Sequence, residues 1–171
     1  MLRVSSGSKR GFKLKVPLGG SVRPNTSKVR KMIFDILPPV TNLNVLDVFA
    51  GSGALGIEAL SMAAKYATFI DNNPSSIKCI KANLKKCEFE ARSTVIKKDS
   101  SIALREFAKQ NKKFDLILID PPYSYFDEKT VNGIIRNALK LLVSDGIVVC
   151  EHPRKEEIKR LINKEEDFKY I

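Results

Sequence analysis

The sequence contains no tryptophan, one histidine and three cysteines among 171 residues. A Ser-His-Asp or Cys-His nucleophilic system would have to use His152, which follows an expected strand, precedes Pro153 and reads as a boundary residue. Cys79, Cys87 and Cys150 form no C-x-x-C pair and have no histidine at ligand spacing. A zinc site needs about four N or S ligands, so no metal is expected, and a disulfide scaffold would want more cysteine in a shorter chain. No apolar run approaches the ~20 residues of a membrane span. The opening MLRVSSGSKRGFKLKV alternates, is basic and has no apolar core segment, so no secretory signal is expected. These absences predict a cytoplasmic chain with free thiols, no membrane and no metal, and a monomer is the expected state.

What is present is ordinary for a globular protein, with 43% hydrophobic and 29% charged residues. The length predicts one domain over 1–171, large enough to bury a core without staples. The charge is less ordinary. The net charge is +11, and most of it lies at the start. Residues 1–35 carry Arg3, Lys9, Arg10, Lys13, Lys15, Arg23, Lys28, Arg30 and Lys31 against one acid, Asp35. The remainder is nearly balanced. A basic segment of about 1–40 attached to a neutral body over 41–171 points to a polyanion-binding extension.

Leu2–Val4 and Phe12–Val16 alternate around Gly7–Gly11, which predicts a β-hairpin with a basic loop. Thr26 or Ser27 can cap a helix through Leu37, with Val29, Met32, Ile33, Ile36 and Leu37 on one apolar face. Pro38-Pro39 stops it. From residue 44 strands and helices alternate. Strands are expected at Val45–Ala50, Ala67–Asp71, Thr94–Lys98, Phe114–Asp120 and Gly146–Glu151. Helices are expected at Ala54–Ala64, Pro74–Lys86, Ile102–Lys109, Glu128–Val143 and Lys155–Asn163, and one more strand can form at Phe168–Ile171. The run FDLILID is almost continuously apolar, the mark of a central parallel strand buried on both faces. The class is α/β, a doubly wound and mainly parallel sheet of Rossmann-like kind, with the hairpin and first helix as an appendage.

Gly51-Ser52-Gly53-Ala54-Leu55-Gly56 follows a strand and opens a helix, the context in which G-x-G-x-x-G binds a nucleotide cofactor. The pattern alone serves dinucleotide and S-adenosylmethionine enzymes alike. Asp47 discriminates: a carboxylate in the crevice would repel a pyrophosphate, whereas S-adenosylmethionine has no phosphate and carries an ammonium group. Asp71 closes the next strand, where a carboxylate can bridge two ribose hydroxyls. Asp99, after the third strand, is either an acceptor for the adenine amine or an ordinary loop acid.

Asp120-Pro121-Pro122-Tyr123 ends the fourth strand, at the edge that faces the ligand crevice. Two prolines remove two backbone donors, so the loop presents acceptors. Acceptors without a strong base suit a planar exocyclic NH₂ whose nitrogen becomes cationic as it attacks a methyl group. Tyr123 can stack on a base that is flipped or single-stranded.

These residues resemble a known family. The string Asp47-Val48-Phe49-Ala50-Gly51-Ser52-Gly53-Ala54-Leu55-Gly56-Ile57-Glu58-Ala59-Leu60-Ser61 resembles the cofactor motif of RsmD-type methyltransferases, which methylate the N2 amine of a guanine in 16S ribosomal RNA. Arg23-Pro24-Asn25-Thr26, running into Val29–Phe34, is similar to that family's R-P-x-T segment and following helix. Arg3–Gly11 resembles its hairpin, and Asp120–Tyr123 its catalytic motif. Members usually continue past Ile171 with a further antiparallel strand. The resemblance implies a methyltransferase that converts S-adenosylmethionine to S-adenosylhomocysteine, with ribosomal RNA or the small subunit as partner. Expected cofactor residues are Asp47, Phe49, Gly51, Gly53, Asp71, Asn72, Asp99 and Ser100, and expected catalytic residues are Asp120, Pro121, Pro122 and Tyr123. RNA contacts are expected from Arg3, Lys9, Arg10, Lys13, Arg23, Thr26, Lys28 and Arg30. The rival readings are an amino-methyltransferase acting on DNA adenine or a protein side-chain amide, a non-catalytic RNA-binding module, and a dehydrogenase, which Asp47 disfavours.

Overall fold

A computed structural model describes residues 1–17, 26–122 and 128–150, with backbone alone at 26 and 128–131. The expected elements at Lys155–Asn163 and Phe168–Ile171, and His152, lie outside these residues. The described chain runs α1 (Thr26–Ile36), β1 (Asn44–Val48), α2 (Ala54–Ser61), β2 (Tyr66–Asp71), α3 (Pro74–Lys86), β3 (Ser93–Lys97), α4 (Ser100–Lys109), β4 (Phe114–Ile119), α5 (Glu128–Leu139) and β5 (Leu142–Cys150). The five strands form one sheet in the order β3-β2-β1-β4-β5, and every pairing is parallel. This is the doubly wound arrangement, and its direction reverses between β1 and β4, where the strand ends open a crevice.

The alternation of side chains across the sheet accounts for the apolar strands. Val45, Leu116 and Leu118 pack on one face with residues of α2 and α3. Leu46, Val48, Ile117 and Ile119 pack on the other with residues of α4 and α5. A strand covered on both faces has no position for a solvated side chain. Asp47 shares the face of Val45, which turns it toward α2.

Several boundaries differ from expectation for local reasons. Helix α4 starts two residues earlier because Asp99 caps it, accepting from Ser101 N–H at 3.0 Å and Ile102 N–H at 3.2 Å. Helix α5 stops at Leu139 instead of Val143. The Leu141 carbonyl is taken by Phe114 N–H at 2.8 Å, and Leu142 enters β5 opposite Phe114.

The N-terminal segment pairs as a hairpin, with an antiparallel bridge between Arg3 and Lys13 and a 3₁₀ turn at Gly7–Lys9. It is no appendage. Helix α2 is buried from Gly56 to Ser61 because the sheet covers one side and the hairpin and α1 cover the other. The Glu58 carboxylate accepts from Ser5 N–H at 3.0 Å and Ser6 N–H at 2.6 Å, and Lys9 N–H donates to Ser61 Oγ at 2.9 Å. The contact is close enough that a Cβ on Gly7 would lie 1.9 Å from the Ser61 carbonyl oxygen. The buried face of α1 is also turned from the expected one. Met32 and Ile36 are exposed, while Arg30 and Phe34 are buried; Leu37, just past the helix, is buried as expected.

Candidate active site

The site begins with the loop after β1. Phe49 takes a left-handed conformation at φ 61°, an uncommon choice for a bulky residue that costs roughly 1–3 kcal/mol and clusters at ligand sites. The chain then turns through Gly51 into Gly53, which starts α2 at φ 76°. A Cβ on Gly53 would sit 3.3 Å from Ile80, so both backbone and space favour glycine there. Gly56 has a different reason. A Cβ at that position would lie 2.4 Å from the Phe69 ring, and its absence lets α2 settle close enough for Gly56 N–H to reach Asp47 Oδ2 at 2.9 Å.

Asp71 pins the same loop from the β2 side, accepting from Gly51 N–H at 2.8 Å and Asn73 N–H at 2.8 Å. A carboxylate offers about four acceptor positions, so capacity remains for hydroxyl donors. Asn72 is exposed beside it and Ser100 is buried at the start of α4. Asp99 is committed to the cap of α4, where it also accepts from Ser101 Oγ at 2.6 Å. Its loop geometry is therefore explained without a ligand.

Asp120 follows β4 directly, half-buried, with its N–H toward the Val48 carbonyl at 3.4 Å. Pro121 behind it is buried and Pro122 exposed. Tyr123 lies outside the described residues. Asp47, Phe49, Ala50, Gly51 and Asp120 line one cleft, with α1 closing it through Val29, Arg30 and Ile33. The topology thus brings the glycine loop and the Asp-Pro-Pro segment to one crevice. Burial pushes the Asp47 carboxyl well above the usual aspartate range, and the charges of Asp120 and Asp71 push the same way against the Gly56 hydrogen bond. A cleft lined by the carboxylates of Asp47 and Asp120, with the charge of Asp71 also acting on Asp47, calls for a cation. S-adenosylmethionine carries a sulfonium and an ammonium, and it fits this donor set. A pyrophosphate does not.

Among the expected RNA contacts, Arg3, Arg10, Lys13 and Lys28 are exposed. Arg23 and the Thr26 side chain lie outside the described residues. Lys9 is largely covered and paired with Glu88, and that ion pair holds the Glu88 carboxyl below its usual range. Arg30 is a correction. It is 2% exposed, and its Nε donates to Glu58 Oε2 at 2.9 Å. Its Nη2 donates to the Arg3 carbonyl and to Ser5 Oγ. A guanidinium so enclosed does not meet RNA.

Two residues outside the expected set organise the site. Glu58 joins hairpin, α1 and α2. Its signal is a lone acid in the otherwise apolar helix ALGIEALS. Asn83, fully buried, donates to the carbonyls of Ser52 at 2.9 Å and Lys15 at 3.0 Å, tying the glycine loop to the hairpin. Nothing in the sequence singles it out.

Comparison with known proteins places the chain in a family. Residues 2–170 match the family model described as Conserved hypothetical protein 95. The Bacillus subtilis (strain 168) protein YlbH is 39% identical over 94% of this chain and 88% of its own length. Ribosomal RNA small subunit methyltransferase D of Escherichia coli (strain K12) is 33% identical over 88% of this chain and 71% of its own. A solved hypothetical protein of Thermus thermophilus superposes with a TM-score of 0.78 at 30% identity, covering 90% of this chain and 86% of that one. With its glycine loop, its acidic crevice and its Asp-Pro-Pro-Tyr segment, the chain belongs to the RsmD-type family of S-adenosylmethionine-dependent methyltransferases.

Proposed function

We propose that the protein transfers a methyl group from S-adenosylmethionine to the exocyclic N2 amine of a guanine in small-subunit ribosomal RNA. The observation that carries this reading is that Asp120, which opens the Asp-Pro-Pro segment, lines one cleft with Asp47 and the glycine loop. The name of the Escherichia coli relative supports the substrate class.

When bound, the cofactor supplies an electrophilic methyl group on a sulfonium. Asp71 is placed to accept from ribose hydroxyls, and Asp47 to face positive charge. Asp120 and the Pro121 carbonyl are the acceptors for the two hydrogens of the target amine. They hold its nitrogen in line and oppose the positive charge that grows on it. The proton shed after transfer leaves along the hydrogen bond to Asp120. Exposed Arg3, Arg10, Lys13 and Lys28 on the hairpin and α1 meet the RNA backbone, where phosphate contacts set position without reading bases. Tyr123 stacks on the target base.

The test is transfer of labelled methyl from S-adenosylmethionine to 16S RNA and to subunits lacking the modification, followed by mapping. Label on a guanine N2 in either substrate is expected. Label on adenine, or on protein alone, overturns the substrate assignment and leaves the cofactor assignment standing.

A further inference from the structure

Helix α3 carries a surplus of one sign that nothing nearby answers. Its sequence, PSSIKCIKANLKK, holds four lysines and no acid. Lys78, Lys81, Lys85 and Lys86 are all exposed. The first three fall at i, i+3 and i+7, so they form one row about 10 Å long on the outer face. Lys81 and Lys85, four apart, are neighbours of like charge, an arrangement that costs helix stability. No carboxylate among the described residues forms an ion pair with any of the four. Glu88, the next acid along the chain, is held by Lys9. The helix dipole accounts for Lys85 and Lys86 in the last turn, but it fades within a turn and gives no reason for Lys78 and Lys81. The second arm of the hairpin lies against the same helix. Asn83 accepts from the Lys15 N–H at 2.8 Å and donates to the Lys15 carbonyl at 3.0 Å, and Lys86 Nζ donates to the Lys13 carbonyl at 2.8 Å. Leu14 is buried between them, so Lys13 and Lys15 both turn outward, and both are exposed.

We propose that α3 and the second arm of the hairpin form one basic track for RNA backbone lying outside the cleft, with Lys78, Lys81 and Lys85 as its far row. This rests on the RNA reading above and extends it to a surface that the sequence does not single out. Continuity selects the partner. Lys13 and Lys15 stand directly beside α3, so a run of phosphates that meets the hairpin continues onto the helix. The chemistry agrees. Ammonium groups on flexible stems answer a chain of point charges, and they lack the planar fork that reads a base edge. Contacts of this kind set position and carry no sequence. The track is also in register with the crevice. Helix α3 starts at its Asn73 cap, whose N–H is held by Asp71, and Asn83 ties it to the Ser52 carbonyl of the glycine loop. RNA gripped along α3 is thereby fixed relative to the cofactor loop, and the grip lowers the RNA concentration needed without touching the chemistry.

The experiment compares Lys78→Gln/Lys81→Gln/Lys85→Gln with a control, Arg105→Gln/Lys109→Gln/Lys140→Gln, which removes three exposed cations on the α4 and α5 side of the sheet. Parent and variants are titrated with 16S ribosomal RNA over a range of salt concentrations, and with S-adenosylhomocysteine. In the α3 variant the log–log salt slope is expected to become shallower by about two to three, at about 0.7–0.9 for each phosphate no longer neutralised. Its affinity for S-adenosylhomocysteine should stay at the parent's, and KM for RNA should rise with kcat kept. Its thermal melt should match or exceed the parent's, because like charges have been removed. The control should keep the parent's slope. An α3 variant with the parent's slope, or a control that loses as much, overturns the proposal and leaves the lysines a solvated face. Vesicles of phosphatidylglycerol are a further titrant. Binding to them that needs the α3 lysines, with an unchanged RNA slope, gives the row to a lipid surface and overturns the proposal as well. A parent that binds no RNA at any salt concentration overturns the RNA reading itself, an outcome distinct from the others.

Discussion

The strand-end crevice and the N-terminal hairpin are both strongly charged, and they treat charge in opposite ways. In the crevice Asp71 and Asp120 stand near enough to Asp47 to repel it, and the Asp47 carboxyl is driven up by burial first and then by these two. In the hairpin and α1 opposite charges are matched at home. Arg30 meets Glu58, Lys9 meets Glu88 and Lys31 meets Asp35. Like charges gathered in a cleft mark where a ligand of the other sign belongs. A surplus of one sign in a sequence segment marks nothing until its local partners are known, because a cation already held by a carboxylate has little left for an external anion.

The sharpest way to break this contrast is to unmatch the hairpin. Glu58→Ala leaves Arg30 buried without its counter-charge and removes the acceptor of Ser5 and Ser6, so a loss of about 3–5 kcal/mol of stability is expected. Glu58→Gln keeps an acceptor and should lose less. Urea unfolding of the three forms decides the matter. A loss under about 1 kcal/mol for Glu58→Ala would show that the buried ion pair adds little to holding the hairpin on the body.

On the crevice side the largest effect belongs to Asp120. Asp120→Ala removes a preorganised acceptor, and single-turnover methyl transfer at saturating cofactor should slow by about 10²–10³. Cofactor affinity should change far less. Asp120→Asn keeps one acceptor and loses the negative charge, so its rate should fall between those of the alanine form and the parent. Near-parent turnover in Asp120→Ala would make the residue part of a rigid turn and move the chemistry elsewhere.

The same contrast explains what is legible without the structure. Order and type of the elements follow from patterns that are local in the chain. FDLILI is buried on both faces as its composition demands, Pro74 opens α3 where a proline is tolerated, and the glycine loop sits between β1 and α2. The crevice is legible because its residues lie at strand ends, and strand ends in a doubly wound sheet converge. The hairpin's role is not legible because it depends on ion pairs between residues far apart in sequence. The apolar periodicity of α1 runs through Met32 and Ile36 and leaves Arg30 out as a cation. Glu58, 28 residues away from Arg30, makes that cation a core residue and rotates the helix accordingly. Lys9 reads as a free cation for the same reason, with its partner Glu88 even further along the chain.

Asp47 sharpens the crevice half of the comparison. Its carboxyl is raised in the folded chain, so the folded state holds its proton more tightly than the unfolded state does. Stability from this group is therefore present at low pH and is lost as pH rises from the ordinary aspartate range through the raised value. Asp47→Asn keeps an acceptor for Gly56 N–H and removes that penalty. Thermal melts without ligand should show the variant above the parent at neutral pH, with the gap closing in acid. Cofactor affinity should move the other way, by about 1.5–3 kcal/mol, since a bond to a charged group is lost. A variant that melts lower than the parent at neutral pH would show that the carboxylate is already matched without a ligand.

The smallest effect tests the cations that remain available. Arg10, Lys13 and Lys28 are exposed, and none of the ion pairs described above involves them, whereas Lys9 is held by Glu88. Binding of RNA releases counterions in proportion to the phosphates neutralised, with a log–log salt slope of about −0.7 to −0.9 for each. The triple variant Arg10→Ala/Lys13→Ala/Lys28→Ala should bind RNA with a slope shallower by about two to three, with binding to S-adenosylhomocysteine unchanged. Lys9→Ala should leave the slope nearly as it is, and its modest effect should fall on stability, because the pair with Glu88 is exposed on the acid's side. The two variants are compared by RNA titration over a range of salt concentrations on one fragment. Equal slopes in the parent and the triple variant would place the RNA on another surface, and a large change with Lys9→Ala would show that Glu88 gives up its partner when RNA arrives.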